Sequence, residues 1–214
     1  STSGFGPLSL GSNPSGVARP SKQVFTNPDF GGFFYRGFLE VPGENHCRMN
    51  DFVHQRHKPP TELMQPRKLV LACPEMRSNV NVARMIRAAA CCGIQKFIAC
   101  GNVKVDPKIS REGELHLDFQ VRRSLLPVLK KLKTEGYPLI GLEQTSNSAN
   151  IHEFSFPRKC VLVIGHERHG IKHDVLEILD ATVEIPVWGM PYSYNAATAT
   201  TMALYEYCRQ YPNG

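Results

Sequence analysis

Short apolar runs alternate with segments of helical periodicity from residue 68 onward, and this alternation restricts the possible folds more than any other feature. Residues 79–92 and 121–135 repeat apolar side chains at the spacing of one helical face. The apolar runs have the length of buried strands and comprise residues 69–73, 96–100, 139–142, 160–164 and 183–185. Buried strands separated by helices are typical of a mostly parallel sheet with helices on both faces. The sequence therefore predicts an α/β fold.

The segment of residues 183–207 joins the last predicted strand to a predicted helix without a polar linker. Its central loop contains Gly189 and Pro191, which are turn-forming residues, and small residues follow Asn195. Ligands of α/β sheets usually bind where a loop leaves the C-terminal end of a parallel strand. We expect function to be located in this loop, although an ordinary strand-to-helix connection would show the same pattern.

The N-terminal third differs in composition from the rest of the chain. Residues 1–20 are rich in Ser, Gly and Pro, which is typical of a flexible tail, and aromatic residues crowd residues 24–41. The aromatic segment either packs on the main domain or, with Arg36 and Arg48, stacks unpaired bases. We predict an N-terminal extension over residues 1–66 and a main domain over residues 67–214.

Composition limits the partners and the compartment. A net charge of +6 and a pI near 9.0 favour a polyanionic partner such as nucleic acid. The seven cysteines form no CxxC pair and several lie in apolar segments, which indicates a reducing intracellular compartment: the cytoplasm, the nucleus or a mitochondrion. No apolar run is long enough to span a bilayer, so we expect a soluble protein without membrane contact.

The sequence GHERHG at residues 165–170 resembles two known motifs but fulfils neither. A phosphate-binding loop would end in Lys followed by Ser or Thr, and a zinc-protease helix would place two residues between Glu and the second His. The other histidines lack a cysteine pair nearby, so we expect no metal. No GxGxxG motif follows a strand, so the sequence does not predict a dinucleotide-binding Rossmann site. It also contains no nucleophile elbow of the kind that serine hydrolases use.

Three separate segments carry a resemblance to a known family. They are NVARMIRAA at residues 81–89, LVIGHERHGI at 162–171 and IPVWGMPYSYN at 185–195. Together they resemble the three ordered motifs of the SpoU/TrmH group of SPOUT methyltransferases. The resemblance implies a deep trefoil knot at the C-terminal end of the sheet and a homodimer. It also implies S-adenosyl-L-methionine as cofactor and methyl transfer to a ribose 2′-hydroxyl of structured RNA, either tRNA or rRNA.

The resemblance also implies which residues form the cofactor pocket. Small residues let the backbone approach the adenine edge, and apolar side chains form its walls. By this resemblance, the expected cofactor-binding residues are Leu142, Gly165, His166, Ile185, Gly189, Met190 and Tyr194.

The family's functional residues match five positions. Arg87 is the motif-one arginine, and because a guanidinium is hard to deprotonate we favour a phosphate clamp over a general base for its role. Asn81 is the motif-one asparagine, and Glu167 is the motif-two glutamate, which we expect to hold Arg87 through a charge-assisted bond. Ser193 and Asn195 match the motif-three pair, with hydrogen bonds to the ribose or cofactor expected. Asn195 could instead cap the last helix.

Two residues depart from the family pattern. His166 stands where a small polar residue is usual, and a histidine there could accept a proton during catalysis. Tyr194 replaces the usual leucine and could crowd the adenine pocket. The alternative to an enzyme is therefore a catalytically degenerate protein that keeps the fold and binds RNA.

Overall fold

The computed structural model describes residues 54–55 and 58–214. These residues form seven β-strands, five α-helices and one 3-10 helix, Gly113–His116. In chain order they are β1 Arg67–Cys73, α1 Asn79–Cys91, β2 Ile94–Cys100, α2 Pro107–Ser110, β3 Asp118–Arg122, α3 Leu125–Thr134, β4 Leu139–Leu142, β5 Ala149–Asn150, β6 Lys159–Ile164, α4 His173–Leu176, β7 Ala181–Glu184 and α5 Ala196–Gln210. The aromatic segment of the proposed extension lies outside the described residues, and its boundary at residue 66 stays a prediction.

The seven strands form one sheet in the order β3-β2-β1-β6-β4-β7-β5. Each recorded strand pair is parallel, and at the centre Leu71 pairs with Phe97 on one side and Leu162 on the other. The predicted α/β class is confirmed. Strand order does not reveal a knot, so the trefoil knot stays a prediction.

Helices cover both faces of the sheet, and β1 shows why. Its side chains alternate, so that Leu69, Leu71 and Cys73 enter one buried cluster while Val70 and Ala72 enter the other. The first cluster is closed by α1 and α5, and the second by α3 and α4. A strand that is buried on both faces must be apolar at every position, which explains the continuous apolar runs of the sequence.

The predicted helix over residues 121–135 is partly wrong. Its first residues continue the strand β3, and α3 starts only at Leu125 after the N-cap Ser124. The edge strand β3 pairs with β2 alone, and its side chains are exposed or half-buried. Exposed edge strands lack the apolar run that marked the others, whereas Leu125, Leu129 and Leu132 provide a clear helical spacing.

The parallel arrangement brings the C-terminal ends of the strands to one edge of the sheet. The loops that follow β1, β4, β6 and β7 therefore lie near one another, including residues 165–170 after β6 and 185–195 after β7. In the part of the chain that the structure describes, no helix is long and apolar enough to cross a membrane.

Candidate functional site

A cavity of about 540 Å³ opens at the C-terminal ends of β4, β6 and β7. Apolar side chains of Leu142, Ile164 and Ile185 form part of its wall. The start of α5 closes it with Ala196 and Ala199. We call this the first cavity. A concave site of this size, with apolar walls and a few polar groups, is typical of a small-molecule binding site.

The loop of residues 165–170 forms one wall of the first cavity as a tight turn. His166 and Gly170 exchange two backbone hydrogen bonds, with N to O distances of 3.0 and 2.9 Å. Glu143 follows β4 and accepts a bond from the Ile171 amide at 2.9 Å. A Cβ atom at Gly165 would lie 2.7 Å from Glu143 Oε2 and 3.0 Å from Gly170 Cα. Glycine is therefore required at residue 165 for this close approach.

Glu167 projects from the same loop and fastens it to the connection between β1 and α1. Its carboxylate accepts bonds from the backbone amides of Arg77 at 3.0 Å and Ser78 at 3.2 Å. It also accepts a bond from Asn81 Nδ2 at 3.0 Å. Burial acts to raise the pKa of Glu167, but these bonds outweigh it, so the pKa lies below its ordinary value. The residue is consequently ionised at neutral pH.

Asn195 extends this arrangement to α5. Its Oδ1 caps the helix by accepting from the amides of Ala197 at 2.9 Å and Thr198 at 3.4 Å. Its Nδ2 donates to Asn81 Oδ1 at 3.3 Å. The capping role considered from the sequence is thus present together with a contact between motifs. We call Glu167, Asn81 and Asn195 the amide–carboxylate chain, because it links all three motif segments.

The structure brings most of the expected site residues together. Eight of them line the first cavity: Leu142, Gly165, His166, Glu167, Ile185, Ser193, Tyr194 and Asn195. Gly189 and Met190 do not. Met190 is 72% exposed, and a Cβ at Gly189 would meet nothing within 4 Å.

Arg87 also lies outside the first cavity, exposed on α1. The expected bond between Arg87 and Glu167 is not formed, which corrects the sequence-based interpretation. Six residues on a helix correspond to about 600° of rotation, so Arg87 faces a different direction from Asn81. Glu167 instead receives its bonds from Asn81 and from two backbone amides.

His166 lies at the cavity wall with one ring nitrogen already engaged. Its Nδ1 accepts a bond from the Arg168 amide at 3.0 Å, and its Nε2 lies 3.8 Å from Glu167 Oε2. The backbone amide of Arg168 therefore holds the ring in place through Nδ1. The role of His166 as a proton acceptor stays a prediction.

Tyr194 lines the first cavity, and the residue is 38% exposed. With Tyr194 in its wall the cavity has a volume of about 540 Å³, and whether the residue crowds the cofactor stays a prediction. Sequence reasoning also missed four polar lining residues: Glu143, Gln144, Arg168 and Glu184. Glu143 directly follows β4 and Glu184 is the last residue of β7, and a carboxylate at the C-terminal end of a parallel strand was an available signal.

The comparisons with known proteins agree with this geometry. The model of the SpoU rRNA Methylase family matches residues 68–205, more than half of the chain. The chain belongs to the SpoU rRNA Methylase family. The family resemblance inferred from the three motifs is therefore confirmed.

Individual members of the SpoU family show how far the similarity extends. A mouse tRNA (guanosine(18)-2′-O)-methyltransferase is 40% identical over 92 residues, which is 42% of this chain and 6% of the mouse protein. A yeast enzyme of the same name is also covered over only 6% of its length, so the chain spans a small part of these first relatives. An Aquifex aeolicus enzyme of that name is 24% identical over 164 residues, 74% of this chain and 78% of that one.

Solved structures of SpoU proteins share the fold. The TrmH/SpoU tRNA modifying enzyme of A. aeolicus superposes with a TM-score of 0.65 at 23% identity, covering 68% of this chain and 76% of that one. The Streptomyces viridochromogenes SpoU methyltransferase AviRb, solved with its cofactor AdoMet, gives a TM-score of 0.61 at 26% identity, covering 71% of this chain and 64% of that one.

Among the residues that our structure describes, no group of three or more His, Cys, Asp or Glu could hold a metal ion.

Proposed function

We propose that this chain transfers a methyl group from S-adenosyl-L-methionine to a ribose 2′-hydroxyl of RNA. The observation that carries this proposal is the first cavity, because the segments of motifs two and three form it at the C-terminal edge of the sheet. The family match and the AdoMet complex of a relative at 26% identity support the same choice of cofactor.

The residues of the first cavity fit this cofactor. Gly165 lets the cavity wall pack closely, because a Cβ there would clash with Glu143 and Gly170, which also line the cavity. Leu142 and Ile185 offer apolar contact for an adenine ring, and Glu143 and Glu184 offer carboxylates for hydroxyl or amino groups. When bound, S-adenosyl-L-methionine supplies an electrophilic methyl group on its sulfonium.

The chain's own residues then have to position the RNA hydroxyl. The amide–carboxylate chain fixes the three motif segments to one another, so the cavity wall keeps its shape. Ser193 lines the cavity and can donate to or accept from a ribose hydroxyl. Arg87 is exposed on α1, and its side chain makes no hydrogen bond or ion pair with the described residues, so we assign it to an RNA phosphate.

We propose tRNA as the RNA class. Four relatives at 23–40% identity carry the name tRNA (guanosine(18)-2′-O)-methyltransferase. A further relative, 31% identical over 144 residues, is named 23S rRNA (uridine(2479)-2′-O)-methyltransferase, so rRNA is the second substrate to assay.

A calorimetric titration with S-adenosyl-L-methionine tests the cofactor site. Ala199 lines the first cavity on α5, whereas its neighbour Thr198 is exposed. We expect micromolar binding that Ala199→Phe abolishes by filling the cavity, while Thr198→Phe keeps it. If the intact protein binds RNA but does not bind the cofactor even with RNA present, the degenerate RNA-binding alternative is correct instead.

We also propose that the protein forms a homodimer, as the family resemblance implies. Large apolar side chains at the surface support an interface, since Trp188, Met190, Tyr192 and Tyr205 are 72–82% exposed. Sedimentation equilibrium should give a dimer that Tyr205→Glu weakens. A monomer at every protein concentration would contradict the proposal.

A further inference from the structure

A second cavity of about 730 Å³ lies beside the first, at the C-terminal ends of β1, β2 and β6. Only a thin wall separates the two cavities. Ile164, His166 and Gly170 line both, so the loop of residues 165–170 is the partition between them. A molecule bound in the second cavity would therefore be adjacent to a ligand in the first. No residue of motif three lines the second cavity.

The floor of the second cavity is apolar. It is made of side chains that are at least nine-tenths buried and come from several elements: Met76, Cys100, Leu125, Ile164, Ile171 and Val175. Leu126 on α3 adds a half-buried side chain. Such a floor suits a flat ligand with an apolar face, such as a nucleobase.

The rim of the second cavity carries cationic side chains that are free to bind a ligand. Arg77, Arg123 and Lys172 line it with exposed side chains. Within the described residues, none of these three side chains makes a hydrogen bond or ion pair, in contrast to Lys133, which bonds Asp180 at 2.8 Å. The rim's carboxylates are those of Glu75 and Asp174, so cations outnumber them. An anionic group fits this rim.

A pair of stacked histidines forms the partition side of the second cavity. The rings of His166 and His169 lie 4.9 Å apart with an interplanar angle of 21°. His169 is exposed and lines only the second cavity of the two. Its outer face is available for a further ring, and bases stack on histidine in this manner.

We infer that the second cavity binds the nucleotide of the RNA substrate that is methylated. Its base rests on the apolar floor beside His169, and its phosphates meet Arg77, Arg123 and Lys172. A ribose between base and phosphate would then lie at the open edge of the partition, so that its 2′-hydroxyl reaches the mouth of the first cavity and can contact the methyl group directly. The choice of RNA as the ligand rests on the proposed function. The inference adds the location of the site that binds the methylated nucleotide.

The experiment compares cavity variants with a matched surface variant. A fluorescently labelled, unmodified tRNA transcript is titrated at several salt concentrations with the intact protein, Arg123→Gln, Lys172→Gln and Leu126→Trp. Lys130→Gln is the control, because Lys130 is an exposed cation of α3 that does not line the cavity. S-adenosyl-L-methionine binding and the melting temperature are measured for each variant.

Loss of one phosphate contact lowers the slope of log affinity against log salt by about one, equivalent to about tenfold weaker binding at 0.1 M salt. We expect this result for Arg123→Gln and Lys172→Gln but not for Lys130→Gln. We expect Leu126→Trp to weaken RNA binding at all salt concentrations without changing the slope. Cofactor affinity should stay unchanged throughout.

The inference is overturned if Arg123→Gln and Lys172→Gln both have the RNA affinity and the salt slope of Lys130→Gln. This holds even if cofactor binding and methylation are intact. Failure of the proposed function looks different: the intact protein would then neither bind the cofactor nor methylate RNA. If Leu126→Trp does not fold, Arg123→Gln and Lys172→Gln decide the question, because both residues are exposed and carry no packing.

Discussion

Replacing Glu167 with glutamine tests whether the amide–carboxylate chain holds the site together. The side chain is only 15% exposed and accepts three hydrogen bonds from uncharged donors. In Glu167→Gln one oxygen becomes an NH₂ group. If the remaining oxygen serves Ser78 and Asn81, the new donor faces the Arg77 amide across about 3 Å.

The cost can be estimated from these contacts. The variant loses one hydrogen bond to a charged group and leaves two donors facing each other, which lowers the free energy of unfolding by about 1–3 kcal/mol. For a domain of this size that lowers the melting temperature by about 2–12 °C. Glu177→Gln is the control, because Glu177 is 66% exposed and its neighbour His173 lies 3.8 Å away. We expect that control to change stability by less than about 0.5 kcal/mol.

The pH dependence gives the second measurement. The pKa of Glu167 is lower in the folded protein than its ordinary value of 4.5, so its contribution is complete above that value. The contribution disappears as pH falls through the folded pKa, because the carboxyl is then protonated in both states. Melting curves recorded by circular dichroism should show wild-type and Glu167→Gln converging at low pH. Equal melting temperatures at pH 7, or a difference unchanged at low pH, would refute this reasoning.

Two further comparisons use pairs of similar positions. Gly165→Ala places a Cβ against Glu143 and the Gly170 backbone, so we expect its affinity for S-adenosyl-L-methionine, measured by calorimetry, to be at least about tenfold lower than that of the intact protein. Gly189→Ala is the control, because the space around Gly189 is open, and its affinity should be unchanged. Unchanged binding by Gly165→Ala would contradict the pocket assignment. Arg87→Gln should weaken RNA binding about tenfold and lower the salt slope by about one. The other exposed arginine of α1, Arg84, provides the control, and equal effects of Arg84→Gln would remove the specific role of Arg87.

Much of the fold could be predicted because burial on both faces leaves a plain signal. The strand β4 was predicted with its observed bounds, and the predicted start of α1 at Asn79 agrees with the structure. The strand β3 could not be found, because an edge strand with exposed side chains lacks the apolar run. The two-residue strand β5 is too short for any periodicity.

The candidate site was predicted through motifs, and its internal bonds were not. Glu167 and Asn195, which the motifs named as site residues, both line the first cavity, but the partner of Glu167 depends on how α1 is rotated about its axis. Glu143 belongs to no motif, so nothing in the sequence predicted its hydrogen bond with the Ile171 amide, which the structure shows at 2.9 Å. The second cavity combines residues from four separate segments, and no local pattern in the sequence marks it.

The central claim is methyl transfer to a ribose 2′-hydroxyl, and the product itself tests it most directly. The protein is incubated with tRNA transcripts, or in a parallel assay with rRNA transcripts, and with S-adenosyl-L-methionine labelled in the methyl group, and the RNA is then hydrolysed with alkali. A methylated 2′-hydroxyl cannot attack the adjacent phosphate, so the label should appear in alkali-resistant dinucleotides, and Ala199→Phe should abolish it. Label in mononucleotides would indicate base methylation, and an absence of label from both tRNA and rRNA would contradict the account.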